Sequence, residues 1–286
     1  MFHVEPKTTD LLLAKTKDYL VSEEHFEVYL DPTTQIAQTH PAPAVDKLAQ
    51  YYASDAYISH GNQKRTIIDR LYAWVQQLMF KQKEQWLSKH TKEKKRYLDF
   101  GCGTGALVHH LNHQNWEAYG VEPNDKARSL SFSQKLLYVD LSQLPESNFD
   151  VIALWHVLEH LPDPEETLKE LSNQLNTTGH LFLALPNFNS FDAKYYKDFW
   201  AAYDVPRHLW HFSSTGITQL CDKIGFELVE SKGMPFDAFY VSYLSEQHQK
   251  NSLPFFRALG VGLWSNLKAF YTEEFSSKVY VFKKKA

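Results

Sequence analysis

A short hydrophobic segment near the middle of the chain runs directly into a glycine-rich turn. Residues 97–105 read Tyr-Leu-Asp-Phe-Gly-Cys-Gly-Thr-Gly. Glycines at a strand-to-helix turn let the backbone approach a ligand closely, while helix amide groups point at it. The segment therefore predicts an α/β fold with a ligand at this turn. A P-loop for nucleoside triphosphates is disfavoured, because its lysine and its Ser/Thr are missing.

From residue 97 onward, short apolar runs alternate with amphipathic stretches, which indicates a parallel sheet covered by helices. Residues 235–272 interrupt this pattern as an aromatic, partly helical insertion that we interpret as a lid. The predicted strands are residues 96–100, 116–121, 136–139, 149–155, 180–185, 226–231 and 278–283. The predicted helices are residues 105–113, 124–132, 164–175 and 214–224.

The N-terminal residues follow a different pattern. Residues 25–31 alternate with a period of two, and a Pro-Thr-Thr turn separates them from residues 35–39, which predicts a small hairpin. Apolar residues at spacings of one, three and four predict a helix over 64–89. We therefore divide the chain into an N-terminal hairpin and lid segment, 1–63, and a catalytic domain, 64–286, whose core begins at residue 95.

Composition limits the classes of function open to the chain. Its 286 residues carry a formal net charge of -4, which disfavours a protein that binds nucleic acid mainly through bulk charge. Two cysteines are too few for a disulfide framework or a four-cysteine zinc site. We find no signal peptide and no apolar run long enough to span a bilayer, so a soluble, cytoplasmic protein is expected.

Acidic residues follow the first three predicted strands of the sheet. Asp99 lies two positions before the first glycine, and Glu122 follows the second strand, where an acid can accept both ribose hydroxyls. Asp140 ends the third strand, where it can receive an adenine amino group while Leu141 packs on the ring. Asp140 can instead cap a helix or form a turn. The glycines alone also fit a dinucleotide-binding pattern, so a nicotinamide-dependent oxidoreductase remains an alternative.

Together these segments resemble the class I S-adenosylmethionine-dependent methyltransferases over about residues 95–286. The resemblance rests on Asp-x-Gly-x-Gly-x-Gly at 99–105, the acid after strand two, and the Asp-Leu pair after strand three. The run Leu-Glu-His-Leu-Pro-Asp-Pro at 158–164, with Asn187 after Leu-Pro, is similar to the branch related to quinone-biosynthesis methyltransferases.

The resemblance implies a Rossmann-like, mostly parallel seven-stranded sheet of order 3-2-1-4-5-7-6, with the last strand antiparallel and helices on its flanks. It also implies S-adenosylmethionine as cofactor, with S-adenosylhomocysteine as product. Within the site, the glycine loop and Asp99 would hold the methionine part, Glu122 the ribose, and Asp140 with Leu141 the adenine. The full set of cofactor-binding candidates is Tyr57, His60, Asp99, Gly101, Cys102, Gly103, Gly105, Glu122, Pro123, Asp140, Leu141, Trp155 and His156.

Three histidines are candidate catalytic bases for an acceptor hydroxyl: His156, His208 and His211. The last two lie in an aromatic segment, residues 199–213, that follows strand five and therefore reaches the carboxyl edge of the sheet. The alternative is structural, with Arg207 and His208 forming a polar clamp and the aromatic residues packing a lid. Ser213 is expected to cap the helix that follows.

Metal binding is not expected from the sequence. His156 and His160 are four residues apart and can share a helix face, but no His-Glu-x-x-His order and no third ligand are evident. The N-terminal hairpin resembles zinc-binding hairpins that precede some related methyltransferases, yet no cysteine precedes Cys102. Cys102 itself lies between two glycines and is interpreted as a turn residue rather than a nucleophile.

The expected activity is transfer of a methyl group from S-adenosylmethionine to an oxygen, nitrogen or carbon nucleophile of a small, partly apolar or aromatic metabolite. The acceptor pocket is expected between residues 199–212, His156 and the insertion 235–272. An RNA methyltransferase and a cofactor-binding module without turnover remain further alternatives. The sequence does not predict the oligomeric state.

Overall fold

The computed structural model describes residues 6–52, 67–91, 95–145 and 147–285 of the chain. The β-strands, numbered β1 to β11, are Leu11–Lys17, His25–Asp31, Ile36–His40, Arg96–Phe100, Glu117–Val121, Leu137–Tyr138, Phe149–Trp155, Leu175–Pro186, Trp210–Phe212, Phe226–Gly233 and Ser277–Lys284. The α-helices, numbered α1 to α8, are Ile67–Lys89, Ala106–Asn112, Asp125–Ser129, Pro164–Gln174, Phe191–Tyr196, Ser214–Lys223, Pro235–His248 and Pro254–Thr272.

The large sheet confirms the predicted topology. Its strands are ordered β6-β5-β4-β7-β8-β11-β10, which is the order 3-2-1-4-5-7-6 when the seven strands are numbered along the chain. The pairs β4–β5, β4–β7 and β5–β6 are parallel, and the last strand of the chain, β11, is antiparallel. Asp99 on the central strand β4 is in register with Gly120 of β5 and Ala153 of β7.

Hydrophobic sequence explains why β7 lies at the centre of this sheet. Residues 151–154 are Val-Ile-Ala-Leu, and all four are fully buried. A strand buried on both faces reads as a continuous apolar run, as expected for a parallel sheet covered by helices. The helix α4 begins at Pro164, and Asp163 accepts a hydrogen bond from the backbone of Glu166 at 3.1 Å. Proline at the first helical position after a capping acid is a common helix start.

The predicted N-terminal hairpin is part of a larger sheet. β2 and β3 pair as antiparallel neighbours, which confirms the hairpin, and β1 and β9 extend it to the order β1-β2-β3-β9. Neither added strand was predicted, so the sheet is larger than the hairpin that the sequence indicates. Because β9 belongs to the aromatic segment 199–213, that segment supplies the fourth strand of the N-terminal sheet.

The insertion 235–272 is more regular than its sequence indicates. It forms α7 and α8, each with a proline at the start of the helix. The expected cap before α6 is confirmed, because the Ser213 hydroxyl accepts a hydrogen bond from the Gly216 amide at 2.9 Å.

The described residues divide into two compact units. The first unit contains residues 6–52, 156–168 and 183–281, and the second contains 67–155, 169–182 and 282–285. The predicted domain boundary between residues 63 and 64 lies outside the described residues and stays a prediction. Among the described helices, none combines the length and the hydropathy that crossing a bilayer requires.

Candidate functional site

The glycine-rich turn between β4 and α2 has a backbone that only glycine adopts easily. Gly101, Gly103 and Gly105 all have positive φ angles, of 76°, 57° and 68°. A Cβ atom at Gly105 would lie 2.8 Å from a methyl carbon of Leu137, so a side chain there would collide with β6. The amides of residues 101 and 102 both donate to the Val121 carbonyl. These contacts fix the turn against β5 and support the predicted ligand-binding loop.

Glu122 is held against this turn by two backbone donors. Its Oε2 accepts a hydrogen bond from the Gly103 amide at 3.0 Å, and its Oε1 accepts one from the Asn124 amide at 2.9 Å. An ionised carboxylate has about four acceptor positions, so each oxygen can accept a further donor. This orientation fits the predicted role in binding two ribose hydroxyls. The neighbouring Pro123 is exposed and begins the connection to α3.

Asp99 is buried at the end of β4, with only 4% of its surface exposed. Burial raises the pKa of its carboxyl group to about 7, although the nearby Lys83 ammonium partly opposes this shift. The carboxyl group therefore releases its proton less readily than an ordinary aspartate does. A positively charged or amine-bearing ligand beside it would favour the ionised form.

Asp140 has the capping role that the sequence left open. Its Oδ1 accepts a hydrogen bond from the Ser142 amide at 2.9 Å, at the start of a single 3-10 turn over Leu141–Gln143. Asp140 is exposed and Leu141 is partly buried, so both remain accessible. Their contact with adenine stays a prediction, since capping uses only part of the carboxylate's acceptor capacity.

The contacts of the remaining predicted cofactor residues do not distinguish a ligand-binding role from a structural one. Burial raises the pKa of the Cys102 thiol well above its ordinary value, which agrees with a turn residue rather than a nucleophile. The Trp155 indole donates a hydrogen bond to the Tyr97 hydroxyl at 2.9 Å, and the Lys83 ammonium lies 4.0 Å from a ring centroid of Trp155. Tyr57 and His60 lie outside the described residues, so their proposed contacts stay predictions.

His156 follows β7 directly and lies between two carboxylates of the first unit. Its backbone has a positive φ of 56°. Its Nε2 is 3.2 Å from Oδ2 of Asp237, and its Nδ1 is 3.5 Å from Oε1 of Glu159. Burial alone would lower the pKa of His156, but the two carboxylates raise it to about 10. His156 therefore carries a positive charge at neutral pH and is not ready to accept a proton.

His156 and His160 do not share a helix face. Residues 158–160 form a single 3-10 turn, and α4 begins only at Pro164. The Nδ1 atom of His160 is instead 3.1 Å from the Arg207 carbonyl oxygen and 3.0 Å from the Tyr52 hydroxyl. Burial lowers the pKa of His160 to about 4, and His208 contributes in the same direction.

His208 and His211 are both buried, with 8% and 5% of their surfaces exposed. The Nδ1 atom of His208 is 2.9 Å from the Ala202 carbonyl oxygen. The Nε2 atom of His211 is 2.9 Å from the Thr39 hydroxyl, and burial lowers the pKa of His211 to about 3. These contacts support a structural role for His211, which joins β9 to β3.

Arg207 has the structural role that was proposed as an alternative. It is 1% exposed, and its guanidinium donates to Asp18 at 2.9 Å, to Asp204 at 2.7 and 2.9 Å, and to the Tyr51 carbonyl at 3.0 Å. The Arg207 clamp, meaning these four residues, fastens the loop after β1 to the segment before β9.

Two acids of this region were not assigned a role from the sequence. Glu159 lies inside the quoted Leu-Glu-His-Leu run, so its position was visible but its burial was not. Asp237 belongs to the insertion, about 80 residues away in the chain from His156, and no local pattern marks it. Only the fold brings it to the histidine.

Comparisons with known proteins identify the family of the chain. A model of the methyltransferase domain family matches residues 71–231, which is more than half of the chain. The chain is 27% identical over 185 residues to a ubiquinone biosynthesis O-methyltransferase of Azoarcus sp. (strain BH72), covering 58% of this chain and 79% of that protein. It is 33% identical over 106 residues to the protein of the same name from Aliivibrio fischeri (strain MJ11), covering 33% of this chain and 45% of that protein.

Among solved structures, the magnesium protoporphyrin IX methyltransferase of Synechocystis PCC 6803, determined with bound S-adenosylhomocysteine, is similar in fold. The TM-score is 0.50 at 14% identity, and the match covers 79% of this chain and 90% of that one. The predicted class of enzyme and its cofactor, S-adenosylmethionine, are confirmed at the level of the family. The chain belongs to the methyltransferase domain family, as a class I S-adenosylmethionine-dependent methyltransferase.

Proposed function

We propose that the enzyme transfers a methyl group from S-adenosylmethionine to a hydroxyl oxygen of a small, ring-containing and partly apolar acceptor. Two curated relatives are named as O-methyltransferases of ubiquinone biosynthesis, which favours oxygen over nitrogen or carbon as the acceptor atom. One of these matches spans less than half of the relative. The chemical class of the acceptor is therefore inferred from the residues of this chain.

The observation that carries the proposal is the contact between His156 and Asp237. His156 begins the segment that leaves β7, and Asp237 lies in the first turn of α7. Their side chains meet at 3.2 Å, so the insertion contacts the segment that begins directly after β7. Either side chain can form a hydrogen bond with an acceptor hydroxyl and hold its oxygen in one direction.

Exposed aromatic side chains on α7 accompany this polar pair. Phe236 is 51% exposed and Tyr240 is 63% exposed. The two are four residues apart and share a helix face, and Asp237 lies at the more buried edge of that face, three residues before Tyr240. An aromatic ring beside a polar pair suits an acceptor that has both a flat apolar body and a hydroxyl group.

The proposed reaction needs no covalent intermediate with the protein. The acceptor oxygen forms a bond to the methyl carbon as the bond from that carbon to the sulfonium sulfur breaks, leaving a neutral thioether. The hydroxyl proton leaves to the Asp237 carboxylate or to water. The protein contributes alignment of oxygen, carbon and sulfur and removal of competing water.

Methyl transfer from labelled S-adenosylmethionine tests the proposal. The acceptors are a set of hydroxylated aromatic rings with short apolar substituents, their amine analogues, and total tRNA. We expect labelled product from the phenols, and a methyl ether should be identified by mass spectrometry. The variants Asp237→Asn and His156→Gln should lower turnover by roughly 10²–10⁴-fold while leaving cofactor affinity within about twofold, since the lost contact acts on the acceptor.

Asp222→Asn, an exposed acid of α6, is the matched control and should leave turnover unchanged. Labelling of tRNA in preference to every small molecule would overturn the proposal in favour of an RNA methyltransferase. Transfer to the amines alone would overturn the assignment of the acceptor atom. Unchanged turnover of phenols in both site variants would remove His156 and Asp237 from the acceptor site.

A further inference from the structure

We propose that Glu159, His160 and His208 bind one divalent first-row transition-metal ion, of the class to which Zn²⁺ belongs. This inference goes beyond the proposed methyl transfer and does not depend on it, because the three side chains lie within the first unit and can be tested by metal binding alone.

The three residues offer a suitable set of ligand atoms. Each provides one nitrogen or carboxylate oxygen, and these atoms all lie within 4.8 Å of one another. Imidazole nitrogen and carboxylate oxygen bind Zn²⁺ at about 2.0–2.2 Å, so two ligands of one tetrahedral ion are about 3.4 Å apart. The ligand atoms would therefore have to approach one another by up to about 1.4 Å when the ion binds.

Both imidazoles are oriented as metal ligands usually are. The Nδ1 atom of His160 lies 3.1 Å from the Arg207 carbonyl oxygen, and that of His208 lies 2.9 Å from the Ala202 carbonyl oxygen. A carbonyl oxygen can only accept, so each ring presents its proton at Nδ1 and a lone pair at Nε2. A backbone carbonyl that fixes the tautomer in this way is a common second partner of a metal-binding histidine.

The environment of the Glu159 carboxylate is the independent observation that points to a cation. It is 1% exposed, and neither of its carboxylate oxygens has a hydrogen-bond donor within the part of the chain that the structure describes. Its nearest ion-pair contact is with His156, at 3.5 Å from Oε1. The charge of His156 offsets part of the cost of burying this carboxylate, but at 3.5 Å it leaves both oxygens without a hydrogen bond. A metal ion bound to Oε1 or Oε2 would supply the missing contact.

Asp204 is a candidate for a fourth ligand. Oδ2 of Asp204 lies 4.0 Å from Nε2 of His208, while Oδ1 of Asp204 is bound by Arg207. Water or Asp204 Oδ2 can complete a four-coordinate site. His211 lies close to His208, with ring centroids 6.3 Å apart, but its Nε2 is 2.9 Å from the Thr39 hydroxyl. His211 is therefore excluded from the ligand set and supplies a matched control.

The test is a Zn²⁺ titration of the untagged full-length protein after removal of metals by a chelator. We expect one equivalent to bind, as measured by calorimetry and by elemental analysis after gel filtration. Glu159→Gln and His208→Gln should each weaken binding by more than the 10–100-fold typical of losing a residue that only hydrogen-bonds to a metal ligand. His211→Gln should retain one equivalent with an affinity within about threefold of the unaltered protein.

X-ray absorption at the zinc edge keeps the inference testable if a variant does not fold. The unaltered protein should show two imidazoles with nitrogen at about 2.0–2.1 Å. Absence of binding to the unaltered protein, or undiminished binding in both ligand variants, would overturn the inference. Zinc that is lost on replacing His25 or His40 would instead belong to the N-terminal sheet, contrary to both this inference and the sequence prediction for that sheet.

Discussion

Replacing Arg207 with methionine should destabilise the protein strongly, because the Arg207 clamp is a buried ion-pair network. Methionine keeps much of the apolar stem of arginine and removes the guanidinium. The substitution takes away the donors to Asp18, Asp204 and the Tyr51 carbonyl. Most of the lost stability is expected to come from Asp18, because its side chain is fully buried and loses its only ion-pair partner among the described residues.

The size of the loss in unfolding free energy depends on the contacts that each carboxylate retains after the substitution. Breaking one side of a buried ion pair costs about 3–5 kcal/mol of unfolding free energy. Asp18 still accepts hydrogen bonds from the backbone of residues 20–22 and from the Ser22 hydroxyl, and Asp204 is 27% exposed and can be hydrated. We therefore expect a loss at the lower end of that range, near 3 kcal/mol.

Urea unfolding followed by circular dichroism and tryptophan fluorescence measures this loss. Lys223→Met is the control, because its ion pair with Glu165 is exposed and should contribute less than about 1 kcal/mol. Asp18→Asn combined with Arg207→Met removes the uncompensated charge, so the double variant should be more stable than the sum of the two single losses predicts. A loss below about 1 kcal/mol for Arg207→Met, or additivity within about 0.5 kcal/mol in the double variant, would refute this reasoning.

Two further predictions concern the glycine-loop site. Glu122→Ala should weaken binding of S-adenosylmethionine by roughly 1.5–3 kcal/mol, through loss of a charge-assisted acceptor, and equal affinities by calorimetry would remove Glu122 from the site. Asp99 has a folded pKa of about 7 against an ordinary value of 3.8, so the folded state holds a proton that the unfolded state has already released between these values. Its contribution to stability therefore falls as pH rises from about 4 to 7, by up to roughly 4 kcal/mol, and is constant above pH 7. Asp99→Asn should remove that part of the slope, and equal slopes in urea unfolding between pH 4.5 and 7.5 would contradict the prediction.

The large sheet could be predicted from the sequence because its strands carry their own signal. Residues 149–155 were predicted as a strand and form β7 with the same bounds, since every central position is apolar and both faces are covered. The strand order came from the family resemblance. β8 begins at Leu175 rather than at residue 180, because its first half contains one leucine and two exposed threonines and has no apolar run to mark it.

The N-terminal sheet could be predicted only in part. β1 contains three consecutive leucines, so the period of two that marked β2 is lost in its first half. β9 has only three residues and pairs with β3 about 170 residues earlier in the chain, a contact that no local pattern encodes. The helices of the insertion were underestimated for another reason. Their exposed positions are largely aromatic, which hides the polar face expected of a surface helix.

The candidate site likewise has one part that the sequence predicts and another part that it does not. The glycine turn and Glu122 follow each other along the chain at fixed offsets, so their chemistry is visible in the sequence. The cluster around Glu159 joins a turn after β7 to the segment before β9, and the spacing of His156 and His160 in the sequence did not predict it. The fold gives His156 a positive φ and directs it to Asp237, while His208 approaches His160 with ring centroids 4.5 Å apart. A ligand set assembled from separate segments depends on how the backbone turns, and that is decided by tertiary packing rather than by residue spacing.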